Sequence, residues 1–156
     1  VADPCCGWGG LLAPLAAAGA QVIASDVDPA CVQFCRGLGL PGVQVCRADI
    51  FAPGGAQWEG VVTDPPWGSY QALPEDFYPR LLDRLAQRLL PGGRAVLLTA
   101  RDADLSRGPL PAQALADPLV SGKKARLWVL EKPLQSPGRD AIINPRKLNI
   151  LKTMEE

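Results

Sequence analysis

The chain has 156 residues, 16 Lys+Arg against 16 Asp+Glu, and no histidine. That length suits one domain with a sizeable core, and the neutral balance leaves no electrostatic footprint for nucleic acid, so a further domain or a partner would have to supply much of the grip on such a substrate. Without histidine there is no Ser-His-Asp triad, no Cys-His pair and no histidine metal ligand.

No apolar stretch reaches the ~20 residues of a membrane span, and no basic-then-apolar leader precedes Val1. The chain opens directly on a motif, which reads as an N-terminally truncated segment of something longer. Its five cysteines, an odd number, read as reduced thiols inside a cell, in the cytoplasm or the nucleus. Cys31 and Cys35 lie one helical turn apart, but the spacing is not C-x-x-C, so they read as small buried apolar side chains and not as zinc ligands.

In chain order, residues 1–2 read as the end of a strand and residues 3–10 as a glycine-rich turn. Residues 11–18 form an Ala- and Leu-rich helix closed by Gly19. A strand at 21–25 ends at Asp26, and Pro29 starts a helix running to about Gly37. A third strand at 43–47 is followed by Asp49, and 54–57 is loop. A strand at 60–63 runs straight into Asp64-Pro65-Pro66-Trp67. Phe77, Leu81, Leu82, Leu85 and Leu89 recur at helical spacing, so a helix is expected over 75–90, broken by Pro91-Gly92-Gly93. A strand at 94–99, a short helix near 112–116 in a weakly patterned stretch, and a strand at 126–131 follow. A single folded domain is placed at 1–132 and a tail at 133–156. In that tail Asn144-Pro145-Arg146-Lys147 and Lys152 are nearly balanced by Asp140, Glu155 and Glu156, which reads as a solvated segment.

Strands alternating with helices predict an α/β, Rossmann-like fold: a mostly parallel sheet with helices on both faces. Such a sheet binds its ligand at the carboxyl ends of its strands. The glycine turn, Asp26, Asp49 and the Asp-Pro-Pro-Trp segment all fall there.

Asp3-Pro4-Cys5-Cys6-Gly7-Trp8-Gly9-Gly10 follows the first strand. Its glycines let the backbone pass close to a ligand, which makes Cys6, Gly7 and Gly9 cofactor-binding candidates. Asp26 suits a ribose diol, because a carboxylate accepts from both hydroxyls. Asp49 is placed to meet an adenine amino group, and Asp28 either contributes or caps the helix at Pro29. A dinucleotide and S-adenosylmethionine both fit an adenosine site. The dinucleotide fingerprint G-x-G-x-x-G lacks its third glycine here. Asp3 would repel a pyrophosphate but suits a sulfonium and an amino group, so the methyl donor is favoured.

Taken together, D-P-C-C-G-W-G-G, A-S-D-V-D-P, A-D-I-F and T-D-P-P-W-G resemble motifs I to IV, in unpermuted order, of the class I S-adenosylmethionine-dependent methyltransferases. The fourth is similar to the [DNS]-P-P-[YFW] signature of enzymes that methylate planar amino nitrogens. Within that class the chain most resembles the catalytic domain of the THUMP-associated tRNA guanosine-N2 methyltransferases, over roughly residues 1 to 132. The resemblance implies S-adenosylmethionine as donor, an RNA guanine in tRNA as acceptor, a separate RNA-binding domain, and for some members a small zinc-binding activator subunit. Trp8 departs from the Thr or Ser common in motif I, where its bulk is expected to crowd the methionine end, and Trp67 departs from the usual Tyr or Phe.

The Asp-Pro-Pro-Trp segment suits that chemistry. An exocyclic amino nitrogen is a poor nucleophile because its lone pair is delocalised into the base, so it has to be held in line with the methyl–sulfur bond. Asp64 accepts one N–H and the Pro65 carbonyl the other, Pro65 and Pro66 stiffen the segment, and Trp67 offers a flat face for the base. Tyr70 is a further candidate for the acceptor pocket. Adenine N6 and cytosine N4 in RNA or DNA, a degenerate non-catalytic subunit, and a nicotinamide-dependent oxidoreductase are the alternatives.

Overall fold

A computed structural model describes residues 1–68 and 72–134. Tyr70 and the tail candidates Asn144, Pro145, Arg146, Lys147 and Lys152 lie outside the described residues. The elements run β1 (Ala2–Asp3), α1 (Leu12–Ala17), β2 (Val22–Asp26), α2 (Pro29–Gly37), β3 (Val43–Arg47), β4 (Trp58–Thr63), α3 (Phe77–Arg88), β5 (Leu89–Ala100), β6 (Ala112–Ala116), β7 (Leu119–Val120) and β8 (Lys123–Glu131). The strand order is β3-β2-β1-β4-β5-β8-β6, with β7 paired to β8. The first five strands are mutually parallel, whereas β8 runs antiparallel to both β5 and β6.

Register decides which face each residue covers. Ala2 pairs with Ile23 on one side and Val61 on the other, and Val61 pairs with Ala95, so these four share a face. Val22 and Ala24 alternate onto the opposite face. The two cores divide accordingly. Ala2, Val61, Ala95 and Leu97 pack with Leu81, Leu82 and Leu85 of α3, while Val22 and Ala24 pack with Leu12 of α1 and Cys35 of α2. Helices therefore cover both faces, as a largely parallel sheet requires.

Helix ends follow local chemistry. Asp28 is the N-cap of α2, its carboxylate accepting from the Ala30 N–H at 2.8 Å, and Pro29 occupies the first turn. Gly19, at φ +76°, closes α1: its N–H meets the Ala16 carbonyl and the Ala20 N–H reaches the Leu15 carbonyl.

Four expectations need correction. The helix expected over 75–90 ends at Arg88. Leu89 turns extended and pairs with Trp58 at the start of β5, and its fully buried side chain completes the α3 core. Pro91-Gly92-Gly93 does not precede that strand but forms an irregularity within it. A Cβ on Gly93 would lie 2.9 Å from the Glu59 carbonyl oxygen, so only glycine allows this approach. The short helix expected near 112–116 is instead strand β6, paired to β8 from Ala112↔Leu130 to Ala116↔Leu127. Five residues are too few to nucleate a helix against water, while the β8 edge offers unpaired backbone groups that must be satisfied. Local preference for helix in Ala-Gln-Ala-Leu-Ala loses to that pairing. β8 also starts earlier than expected, at Lys123, because the two-residue turn Ser121-Gly122, with φ +49° and +77°, folds it back onto β7.

Leu85 is fully buried between α3 and the sheet. Leu85→Ala is expected to lower unfolding free energy by about 2–5 kcal/mol in denaturant titration, whereas Leu119→Ala, at a 72% exposed position, should change it by less than about 0.5 kcal/mol.

Candidate active site

The order β2-β1-β4 places β1 at the point where the chain's progression reverses, and the loops leaving β1 and β4 splay apart there. Between them lies a cavity of about 690 Å³. Gly7 of the first loop and Asp64, Pro65, Pro66 and Trp67 of the second line it, with Phe77 and the turn at Val120–Lys123 on the far side. Of the predicted site residues, Gly7, Asp64, Pro65, Pro66 and Trp67 line this space, whereas Asp3, Cys6, Gly9, Asp26 and Asp49 do not.

On the donor side, the Asp26 carboxylate joins two segments. Its Oδ2 accepts from the Gly7 N–H at 2.8 Å and its Oδ1 from the Asp28 N–H at 3.0 Å. Each carboxylate oxygen has a second lone pair, so two remain for a vicinal diol. Gly7 and Gly9 sit at φ +48° and +79°, and a Cβ on Gly9 would lie 3.0 Å from the Cys35 sulfur. The amides of the turn are turned inward: Cys6 donates to the Ser25 carbonyl, Gly7 to Asp26 and Gly9 to the Cys6 carbonyl. A pyrophosphate needs such N–H groups free. The turn therefore fits an adenosyl group with a cationic end better than a dinucleotide.

Cys6 is buried, with its thiol in the α1–α2 core, and burial pushes that thiol well above the usual range. Asp49 is exposed, its Oδ1 accepting from the Phe51 N–H at 2.8 Å in an Asx turn. Asp28 serves as a helix cap. Trp8 does not crowd the turn: it is 63% exposed and meets Phe34 edge-on at 5.3 Å.

Asp3 is 1% exposed. Its Oδ1 accepts from the Thr63 hydroxyl at 2.8 Å and from the Cys5 N–H at 3.4 Å. Burial raises its pKa to about 6, against the opposing effect of those bonds, and the neighbouring carboxylates Asp64 and Asp26 push the same way.

On the acceptor side, Pro65 is buried and Pro66 and Asp64 face outward. The Trp67 indole N–H donates to Asp64 Oδ1 at 2.7 Å and approaches the Leu98 carbonyl at 3.3 Å. Phenylalanine at this position could make neither bond. Partial burial raises the Asp64 pKa, and the Trp67 bond works against that rise. Tyr78 went unnoticed in the sequence. Its hydroxyl donates to the Pro66 carbonyl at 3.1 Å and so anchors the segment to α3; burial pushes its pKa up to about 12. The only signal in sequence is an aromatic pair, Phe77-Tyr78, opening the helix that follows the motif.

No family model matches the chain. Over 102 residues it is 34% identical to ribosomal RNA small subunit methyltransferase C of Chromohalobacter salexigens, covering 63% of this chain and 30% of that protein. TrmN from Thermus thermophilus superposes with a TM-score of 0.67 at 28% identity, over 84% of this chain and 43% of that one. A TehB-like SAM-dependent methyltransferase from Corynebacterium glutamicum gives 0.63 at 20%, over 84% and 78%. The chain has the class I methyltransferase fold. It spans less than half the length of the ribosomal RNA methyltransferase and of TrmN. No helix among the described residues is long and apolar enough to cross a membrane.

The Asp3 carboxyl has a stability consequence. Its folded pKa of about 6 lies above the ordinary 3.8, so the folded state holds this proton more tightly. The stabilisation is complete below about pH 4 and is lost as pH rises through 6. Asp3→Asn is therefore expected to raise unfolding free energy at pH 7 by up to about 3 kcal/mol, with the gain vanishing below about pH 4 in denaturant titrations across pH. An unchanged or lower stability at pH 7 would contradict the burial cost.

Proposed function

We propose that this chain is the catalytic domain of an S-adenosylmethionine-dependent RNA methyltransferase that modifies an exocyclic base nitrogen, guanosine N2 in tRNA being the favoured acceptor. The observation that carries this is the shared cavity, with the Gly7 turn on one wall and Asp64-Pro65-Pro66-Trp67 on the other. The similarity to two proteins named as an RNA methyltransferase and as TrmN supports RNA as the acceptor class.

S-adenosylmethionine, when bound, supplies a methyl group activated by a sulfonium. The chain's residues do the rest by holding and orienting. Asp26 takes the ribose hydroxyls on its two remaining lone pairs, the Cys6, Gly7 and Gly9 backbone lies against the donor, Asp49 takes the adenine amino group, and the charge of the buried Asp3 carboxylate favours the cationic end. Asp64 accepts one N–H of the base amino group and the Pro65 carbonyl the other. Two acceptors in fixed directions favour a pyramidal nitrogen with its lone pair on nitrogen rather than in the ring. Trp67 holds one Asp64 oxygen, and Pro66 is held by Tyr78. The proton leaves to water after transfer. A base from a paired stem is flipped out before it reaches this depth. With 16 positive and 16 negative residues, the chain relies on an RNA-binding domain or a partner for phosphate contacts, a small zinc-binding activator subunit being one such partner.

Calorimetric titration with S-adenosylhomocysteine is expected to show binding that Asp26→Ala reduces at least tenfold, since two charge-assisted bonds are lost. A folded chain that binds NADH and not S-adenosylhomocysteine would overturn the donor assignment. Asp64→Ala is expected to lower kcat by about a hundredfold or more with donor binding intact. Trp67→Phe removes the bond that restrains the Asp64 pKa, so the acidic limb of the pH–rate profile should move to higher pH; an unmoved limb would contradict this role of Trp67.

A further inference from the structure

The cavity's two loops leave adjacent parallel strands, and one side-chain contact joins them at the root. Thr63 is the last residue of β4, immediately before Asp64, and Asp3 is the last residue of β1, immediately before the glycine turn. Both are 1% exposed, and the Thr63 hydroxyl donates to Asp3 Oδ1 at 2.8 Å across 60 residues of sequence. Among the described residues Asp3 has one other hydrogen-bond partner, the Cys5 N–H, and that bond is long, at 3.4 Å.

We propose that Thr63 is a positioning residue that links the two halves of the site: its hydroxyl holds the buried Asp3 carboxylate at the root of the donor turn, where its charge favours the amino group of the methyl donor, and ties that turn to the Asp64-Pro65 acceptor segment. This rests on the function proposed above. The groups facing Asp3 are the Cys5 N–H and thiol on its own loop, Thr63 and Asp64 at the end of β4, and Asp26 at the end of β2. Thr63 and the Cys5 N–H favour the ionised form, while the two carboxylates and burial oppose it. Valine at 63 keeps the shape and removes the donor. The carboxyl then takes up a proton at higher pH and so loses its charge. Serine keeps the hydroxyl.

The test is calorimetric titration of the full chain with S-adenosylhomocysteine, near pH 6.5 and near pH 8.5, for wild type, Thr63→Val, Thr63→Ala, Thr63→Ser and Asp3→Asn, with thermal unfolding to establish folding. Thr63→Val and Thr63→Ala should weaken binding roughly tenfold at the lower pH and recover most of it at the higher. Thr63→Ser should stay within about twofold of wild type. In an Asp3→Asn background, Thr63→Val should cost nothing further. Equal loss at both pH values, loss in Thr63→Ser as well, or a Thr63→Val cost that persists without the Asp3 carboxylate would reduce Thr63 to packing and overturn the proposal. Wild-type chain that folds but does not bind at either pH would overturn the proposed function, and this inference with it.

Discussion

Two residues of β1 set the geometry on which the rest depends. Ala2 and Asp3 pair with β2 on one side, Ala2 pairs with β4 on the other, and the chain reverses its direction of progression at that point. Because β1, β2 and β4 are parallel, their carboxyl ends finish side by side. Asp3, Asp26 and Asp64 are thereby brought together from positions up to 61 residues apart in sequence. A strand this short has little pairing energy of its own. It is fixed by burial of Ala2 in the α3 core and by the Asp3–Thr63 bond.

The arrangement gathers the Asp3, Asp26 and Asp64 carboxylates at one end of the sheet, Asp3 buried and Asp64 exposed at the cavity. Asp3 and Asp64 both have raised pKa values through burial. Such a cluster is unfavourable for the empty fold, and it is what a cationic donor and an amino-bearing base would relieve. Perturbed acids in a cleft at a topological switch point are a common mark of a functional site. Here the ordinary structural explanation, ion pairing, is absent among the described residues for these acids: the ion pairs found involve Asp76, Glu131, Asp117 and Asp104 instead.

Much of this was legible in the sequence because it is encoded locally. Caps and breakers place α1 and α2 within a residue or so: Asp28-Pro29 starts one helix, and Gly19 ends the other. The motif acids fell at strand ends because β2, β3 and β4 have short apolar runs. What failed was non-local. Residues 112–116 are helix formers by composition and become β6 only because β8 needs a partner. Leu89 has helical spacing and is taken by β4. The site shows the same division. Aspartates and glycines could be picked out by motif, but the Trp67–Asp64, Tyr78–Pro66 and Thr63–Asp3 bonds could not, since each depends on where a chain segment is carried by packing. Trp8, conspicuous in sequence, points to solvent.

The central claim is that Asp64 and its neighbours present an exocyclic guanine nitrogen to a methyl donor. The most direct measurement is to incubate the chain, together with the RNA-binding domain or partner proposed above, with S-adenosylmethionine carrying an isotopically labelled methyl group and with unmodified tRNA, digest to nucleosides, and separate the labelled products by mass spectrometry. The account predicts label in N2-methylguanosine, absent with Asp64→Ala. Label only in N6-methyladenosine or N4-methylcytidine would contradict the guanine assignment, and no label from an assembly that binds both S-adenosylhomocysteine and tRNA would contradict catalysis by this domain.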